Sequence, residues 1–418
     1  MLSTRGNRLA EFAERYSLGV LMGALALVSI FYACVCVVYQ PGFAIGDWLI
    51  NYSQGFIRRG LFGEAILLSG HLLHVPLPWM TLAVQIPIYL ALLAGVYQLA
   101  TPLKRDVVWF CMMFSPAALP FMILDPLNGY RKEILLFAAL TATILLVRRK
   151  ISDALLALTL AALFALLVLA HESLIFCFPY FFASIAIGVG EMKRAAKICA
   201  APFLLAVVLF DVVRHHPGNV ADAIGICTSV GGTWEGLGGP RGLCSGSIAW
   251  LGVTFAQYHQ QETEFVRYWP LYSFLAVLSF APFIAALVVL YKRDKLRYEV
   301  RVIAGTAMVC GAASFGLFYA TIDWGRWIHM QIVCLLLVIL MTKGRVSSAK
   351  VNDANQLSRT RTAWRRPLLL GAFLYCTCWT LPVVALMPVR FGYLDLALYA
   401  HREIRMQKQL NALPKTEQ

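Results

Sequence analysis

"SLGVLMGALALVSIFYACVCVVY", Ser17 to Tyr39, contains no charged residue and is followed closely by "DWLINYSQGFIRRGLFGE", Asp47 to Glu64. The first stretch is long enough to cross a hydrocarbon core of about 30 Å, which takes roughly 20 helical residues. It is too long for a secretory leader and lacks a small-residue cleavage site, so it reads as a retained span. The second stretch puts two carboxylates and two adjacent arginines just past the end of that span, where charge is costly. Its role depends on which side of the membrane it occupies.

Working outward, the same apolar pattern recurs along the chain. Of 418 residues, 60% are hydrophobic and 14% charged, and the mean hydropathy is +0.69. A soluble surface carries about 25–35% charged residues, so a soluble globular protein is excluded. No short alternating segments suggest a β-barrel. The fold class is an all-α polytopic membrane protein with about 11 transmembrane helices, read at 17–39, 78–101, 106–124, 133–148, 152–170, 173–190, 197–213, 269–291, 300–320, 327–342 and 367–389. The chain is a single membrane domain, 1–418, without internal repeats.

The formal net charge of +14 points to orientation rather than to nucleic acid. Lys and Arg gather in segments on the amino-terminal side: Arg5, Arg8, Arg15, Lys104, Arg105, "RRK" at 148–150, "MKRAAK", "YKRDKLRYEVR" and the polar linker 343–366. Connections on the other side are poorer in them, the outer tail 390–418 excepted. The positive-inside rule then places the amino terminus in the cytoplasm and the carboxy terminus outside. Segment 41–76 reads as one or two short helices along the outer interface, broken near Gly55 and Gly60. Segment 214–268 is an outer loop whose glycine-rich part, "CTSVGGTWEGLGGPRGLCSGS", favours tight turns. Within it, Cys227 and Cys244 read as a disulfide in an oxidising compartment. The tryptophans at 48, 234, 250, 269, 324 and 327 read as interfacial anchors, with sugar stacking as the sharper alternative.

Five compact polar clusters end the spans on the outer side. They are Asp47 with Arg58, Arg59 and Glu64; Asp125, Tyr130, Arg131, Lys132 and Glu133; His171 and Glu172; Asp211, Arg214, His215 and His216; and Asp323 with Arg326. Taken singly, each reads equally well as an ion pair at a helix end. Five at one depth favour a shared, outward-facing site. Arginine forks bind phosphate oxygens bidentately, so Arg58, Arg59, Arg131, Lys132 and Arg326 suit a diphosphate head group. Asp47, with Glu64 in support, suits deprotonation of a hydroxyl, or coordination of a divalent metal such as Mg or Mn that binds the phosphate. Asp125, Tyr130, Glu133 and Asp323 would line the acceptor side or orient those cations. His171 and Glu172 read either as an acid–base pair or as a helix cap. Together these groups suit glycosyl transfer, in which a hydroxyl loses a proton while charge builds on a departing phosphate.

The early outer Asp47 and the short helices after it resemble the GT-C membrane glycosyltransferases, whose first extracytoplasmic loop carries an essential acidic residue. The large carboxy-terminal domain of many GT-C members is absent. The arginine-rich clusters resemble bacterial surface-polysaccharide polymerases and O-antigen ligases, although the larger outer loop of those enzymes lies later in the chain. Both resemblances imply a bacterial inner-membrane enzyme with its site facing the periplasm. They also imply a polyprenyl-phosphate-linked sugar donor and a glycan or lipid-linked acceptor, in cell-surface polysaccharide synthesis. Two rivals stand beside this reading: a transporter or flippase of lipid-linked glycan, which needs polar residues at mid-membrane, and a membrane acyltransferase using His171.

Overall fold

In the computed structural model, residues 2–101, 107–125, 129–234, 242–253, 265–292, 295–321, 323–346, 362–383 and 392–393 are described. The linker between 347 and 361 and nearly all of the tail 390–418 lie outside them, as do Lys104 and Arg105. Every described element is helical. The α-helices are α1 (Leu2–Tyr39), α2 (Gly60–Leu73), α3 (Leu77–Ala100), α4 (Val107–Phe114), α5 (Phe121–Leu124), α6 (Glu133–Arg148) and α7 (Asp153–Ala170). There follow α8 (Phe178–Val189), α9 (Met192–Arg214), α10 (Val220–Ser229), α11 (Trp269–Lys292), α12 (Arg297–Ala320), α13 (Trp324–Val346) and α14 (Thr362–Thr377). Among the described residues, 8 helical stretches are long and apolar enough to cross a membrane. The chain is therefore a multi-pass helical membrane protein.

The expected span 106–124 is not one helix. Pro116 and Pro120 cannot donate backbone hydrogen bonds, and between α4 and α5 the chain turns through Ala118 N–H to Ser115 O (2.8 Å) and Phe121 N–H to Ala118 O (3.2 Å). The span expected at 173–190 begins instead as a 3₁₀ helix, Glu172–Cys177, before α8.

At the centre lies α13, which packs against α3, α6, α8, α11 and α12. Its membrane-crossing part, Trp324–Thr342, is wholly buried by protein, whereas the peripheral spans turn half or more of their residues outward. Cross-links fix which helix ends lie together. At the basal end Arg148 donates to the carbonyls of Leu340 (3.1 Å) and Met341 (3.2 Å), and Arg194 pairs with Asp153 (2.8 Å). At the opposite end Arg326 meets Glu133, and Arg59 meets Glu172.

That opposite end is roofed by the segment between α1 and α2. It forms a 3₁₀ turn, Gly46–Leu49, entirely buried. Three glycines permit this. A Cβ on Gly42 would lie 2.3 Å from Gly246 N, one on Gly46 2.3 Å from Leu243 O, and one on Gly63 1.8 Å from Ile50 O. The turn is thus pressed between α2 and the strap 242–249, and Ser247 N–H donates to Gly42 O (3.1 Å). The expected outer loop 214–268 holds a helix of its own, α10, started by a capping box in which Asn219 and Asp222 satisfy each other's backbone N–H. Cys227 at its end is bonded to Cys244 in the strap. The disulfide therefore ties together two arms that both touch the 42–54 segment, since Asn51 donates to Ser229 Oγ (2.9 Å) from the α10 side.

Closing a loop of 17 residues restricts the unfolded chain by about 3 kcal/mol. Cys227→Ser should lower the midpoint of thermal unfolding in detergent by several degrees. An unchanged midpoint would show that the two arms hold the 42–54 segment without the bond.

Candidate functional site

Four of the five polar clusters meet under the roof. Arg59 is placed by a left-handed backbone turn (φ 67°) just before α2. From there its guanidinium forks onto Glu172, with Nε to Oε2 at 3.0 Å and Nη2 to Oε1 at 2.5 Å. Arg58 stands 3.7 Å from the same carboxylate. From the short turn before α6, Lys132 Nζ donates to the carbonyl of Arg59 (2.8 Å) and Arg131 Nη1 to Asp323 Oδ2 (3.2 Å). From the first turn of α13, Arg326 binds Glu133 through Nε, Asp323 through Nη1 (3.1 Å) and His171 Nε2 through Nη2 (2.8 Å). A guanidinium only donates, so His171 Nε2 accepts and the ring is neutral. Its Nδ1 lies 2.8 Å from Ser173 Oγ, which completes its hydrogen bonds. Burial, then Arg59 and Arg326, push its pKa well below the usual histidine range.

Asp47 sits in the middle of this set and is fully buried. Among the described residues, neither of its carboxylate oxygens has a hydrogen-bond partner. Burial alone would raise its pKa, but Lys132, Arg131, Arg59 and Arg326 outweigh that and hold it below the ordinary carboxylate value, so it is ionised. Its backbone is fixed on several sides. Trp48 Nε1 donates to Tyr130 O (2.9 Å) and packs edge-on against Phe62; Gln85 bridges Ala44 O (2.8 Å) and Tyr130 O (3.0 Å).

The cations keep unused capacity. Lys132 has three donor hydrogens and one recorded acceptor, the Arg59 carbonyl, and no carboxylate within ion-pair distance among the described residues. Burial lowers its pKa to about 8. The Nε groups of Arg58 and Arg131 are buried without a partner among the described residues. Arg131 also lies over the Phe43 ring, 5.2 Å from its centroid, and burial, then repulsion from Arg326, lowers its pKa. Burial and then Arg59 lower that of Arg58 to about 10. Side-chain exposures of 25% for Arg58, 17% for Arg59, 14% for Glu172 and 19% for Asp323 make these four the rim, with Asp47 and Lys132 as the floor.

Several expected site residues lie elsewhere or are otherwise occupied. Glu64 receives the Tyr52 N–H (2.9 Å) and forms no ion pair with the cluster. Tyr130 turns its hydroxyl away to Ser29 O (2.9 Å). Asp125 is buried next to α5, and its carbonyl receives the Gly129 N–H. The charged pair of the fifth cluster stays apart, Arg214 pairing with Asp211 at 2.9 Å, both more than half exposed, as an i,i+3 pair on α9, while His216 of the same cluster accepts the Arg58 N–H at its carbonyl (2.9 Å). Trp48, Trp324 and Trp327 are buried rather than interfacial. Gln85 and Ser173 complete the site without having been singled out by the sequence; a lone glutamine within the apolar run 77–100 was the available signal for the first.

Glu172, Glu133 and Asp323 are each matched to arginines, and no three His, Cys, Asp or Glu side chains group to hold a metal ion among the described residues. No protein-family profile, curated protein or solved structure matches this chain.

Removing one partner of a buried ion pair leaves the other charge uncompensated, a loss of about 3–5 kcal/mol. Glu172→Gln, which strands Arg59, should therefore sharply reduce folded protein on size-exclusion chromatography and lower its unfolding midpoint. Arg214→Gln, which opens an exposed pair worth at most about 1 kcal/mol, should leave both nearly unchanged. Equal behaviour of the two variants would contradict the pairing described.

Proposed function

We propose that this chain is a bacterial inner-membrane glycosyltransferase or polymerase, with about eleven crossings in all, its amino terminus in the cytoplasm and the Asp47 site facing the periplasm. The basic character of the basal connections supports the orientation. The observation that carries the chemistry is the juxtaposition of an ionised, unpaired Asp47 carboxylate with unused N–H donors of Lys132, Arg131 and Arg58. Such a site takes a ligand that offers both a hydroxyl and an anion.

In this reading Arg58, Arg131 and Lys132 bind the phosphate of a polyprenyl-phosphate-linked sugar at the membrane surface. Asp47 accepts the proton of the acceptor hydroxyl as that oxygen bonds to the anomeric carbon. The bond from that carbon to the phosphate oxygen breaks, and the fixed cations stabilise the charge left on the phosphate. Arg59 and Arg326, held by Glu172 and Glu133, set the field and the geometry rather than touching the ligand. The acyltransferase reading gains nothing, because both nitrogens of His171 are engaged. For the transporter reading, the described spans hold one side-chain network, Tyr180 to Gln331 (2.7 Å) and Gln331 to Ser314 (2.8 Å), whose groups satisfy one another, and a lone buried histidine, His329, whose Nδ1 lies 2.9 Å from Ala117 O.

Purified protein given a lipid-linked sugar and an acceptor should form a new glycosidic bond without any membrane gradient. Asp47→Asn should reduce that rate by at least about a hundredfold with the amount of folded protein unchanged, and full activity in this variant would overturn the assignment. The pH profile has a defined shape. Asp47 is ionised throughout the neutral range, and Lys132 is cationic below about 8. Activity should thus stay level from mild acid and fall as pH rises through about 8. A profile still rising there would remove Lys132 from the phosphate site.

A further inference from the structure

At the other end of the molecule a groove of about 780 Å³ runs between α9 and α12, with α8 as its floor. Its walls are helical stripes. On α9 the lining positions begin at Met192 and recur through Ala196 and Ala200 to Phe203; on α12 they run from Tyr298 through Gly305 to Val309. Small residues hollow each stripe at its middle. The floor is apolar, set by Phe178 and Phe182. From Met192 to Phe203 the groove extends about 16 Å along α9, close to half of a hydrocarbon core of about 30 Å, which is the depth of one leaflet.

The charged groups sit at the basal mouth alone. Arg301 lines the groove itself; its Nε donates to Arg297 O (3.2 Å), and no carboxylate pairs with it among the described residues. Lys193, seven residues before Ala200, borders the α9 stripe at the same level. The neighbouring charges are directed elsewhere. Arg194 is held by Asp153, and Arg297 lies over Tyr291, 5.7 Å from the ring centroid. Glu191 precedes the first turn of α9; Glu299, three residues before Val302 and seven before Thr306, borders the α12 stripe, so the mouth holds two cations against one carboxylate and stays net positive. A one-leaflet apolar trough with a cationic mouth matches an anionic phospholipid of the adjacent leaflet in both length and charge.

We propose that this groove binds an anionic phospholipid from the leaflet on the amino-terminal side, its phosphate held by Arg301 and Lys193 and an acyl chain laid over Phe178 and Phe182. This site is about a leaflet away from Asp47, and the proposal is independent of the transfer chemistry. A neutral lipid would fill the trough but leave both cations unmatched. A polyprenyl phosphate would have its head group at the opposite surface.

The full-length chain, with a benzophenone side chain introduced at the half-exposed Phe203, is reconstituted into bilayers containing phosphatidylcholine, phosphatidylglycerol and a trace of polyprenyl phosphate. It is irradiated, and the adducts are read by intact mass. Phosphatidylglycerol should be enriched in the adduct over its share of the bilayer, by about fivefold for each cation. Arg301→Gln and Lys193→Gln should each remove about that factor, Arg301→Lys should restore it, and inorganic phosphate should not compete. Adducts in proportion to bilayer composition would overturn the proposal. So would a preference that survives loss of both cations, or adducts mainly with polyprenyl phosphate. The variants lie at an exposed membrane edge, and their unfolding midpoints serve as the folding control.

Discussion

An ionised carboxylate buried without a hydrogen-bond partner is expensive, and the upper half of this protein is arranged around one. Asp47 is stabilised by the summed field of Lys132, Arg131, Arg59 and Arg326 rather than by any single ion pair. Those cations are themselves buried and would repel one another, so three further carboxylates, Glu172, Glu133 and Asp323, are drawn from separate helix ends to match them. Removing Asp47 from this account leaves Arg58, Arg59, Arg131, Lys132 and Arg326 facing three carboxylates. Including it leaves one negative group whose direct partner must come from outside the described side chains.

The backbone makes that arrangement possible. Arg326 enters from α13, which alone among the described spans is surrounded by protein along its whole crossing, so the guanidinium meets Glu133, Asp323 and His171 in a place that lipid does not reach. Asp47 enters from a 3₁₀ turn that approaches its neighbours at backbone distance, because Gly42, Gly46 and Gly63 carry no side chain there. The disulfide between Cys227 and Cys244 closes the strap over that turn. Rigid placement of donors before a ligand arrives is what electrostatic catalysis requires.

Much of this was legible in the chain, and the parts that were not have physical reasons. Apolar runs announced the membrane helices because length and hydropathy suffice for that, but the prolines at 116 and 120 interrupt one such run without changing its hydropathy. The outer clusters were legible as groups, yet their fates differ through geometry that sequence does not carry. Asp211 and Arg214 are three residues apart on one helix and satisfy each other locally. Arg59 and Glu172 are 113 residues apart and find each other only in the folded bundle. Glu64 looked like a second catalytic carboxylate, but its oxygen is taken by the Tyr52 N–H. Trp48 has the composition of an interfacial anchor, but its indole is needed inside to hold Tyr130 O beside Asp47.

The central claim is that the cluster is built for an anion, with Asp47 as its only uncommitted negative group among the described residues. Equilibrium binding of a polyprenyl diphosphate to the purified protein, wild type against Asp47→Asn, tests it most directly. Neutralising Asp47 removes its repulsion of an incoming anion, so the Asn variant should bind the anion at least as tightly as the wild type, and more tightly at low salt. Loss of binding in the folded Asn variant, or no binding by either protein, would contradict the account.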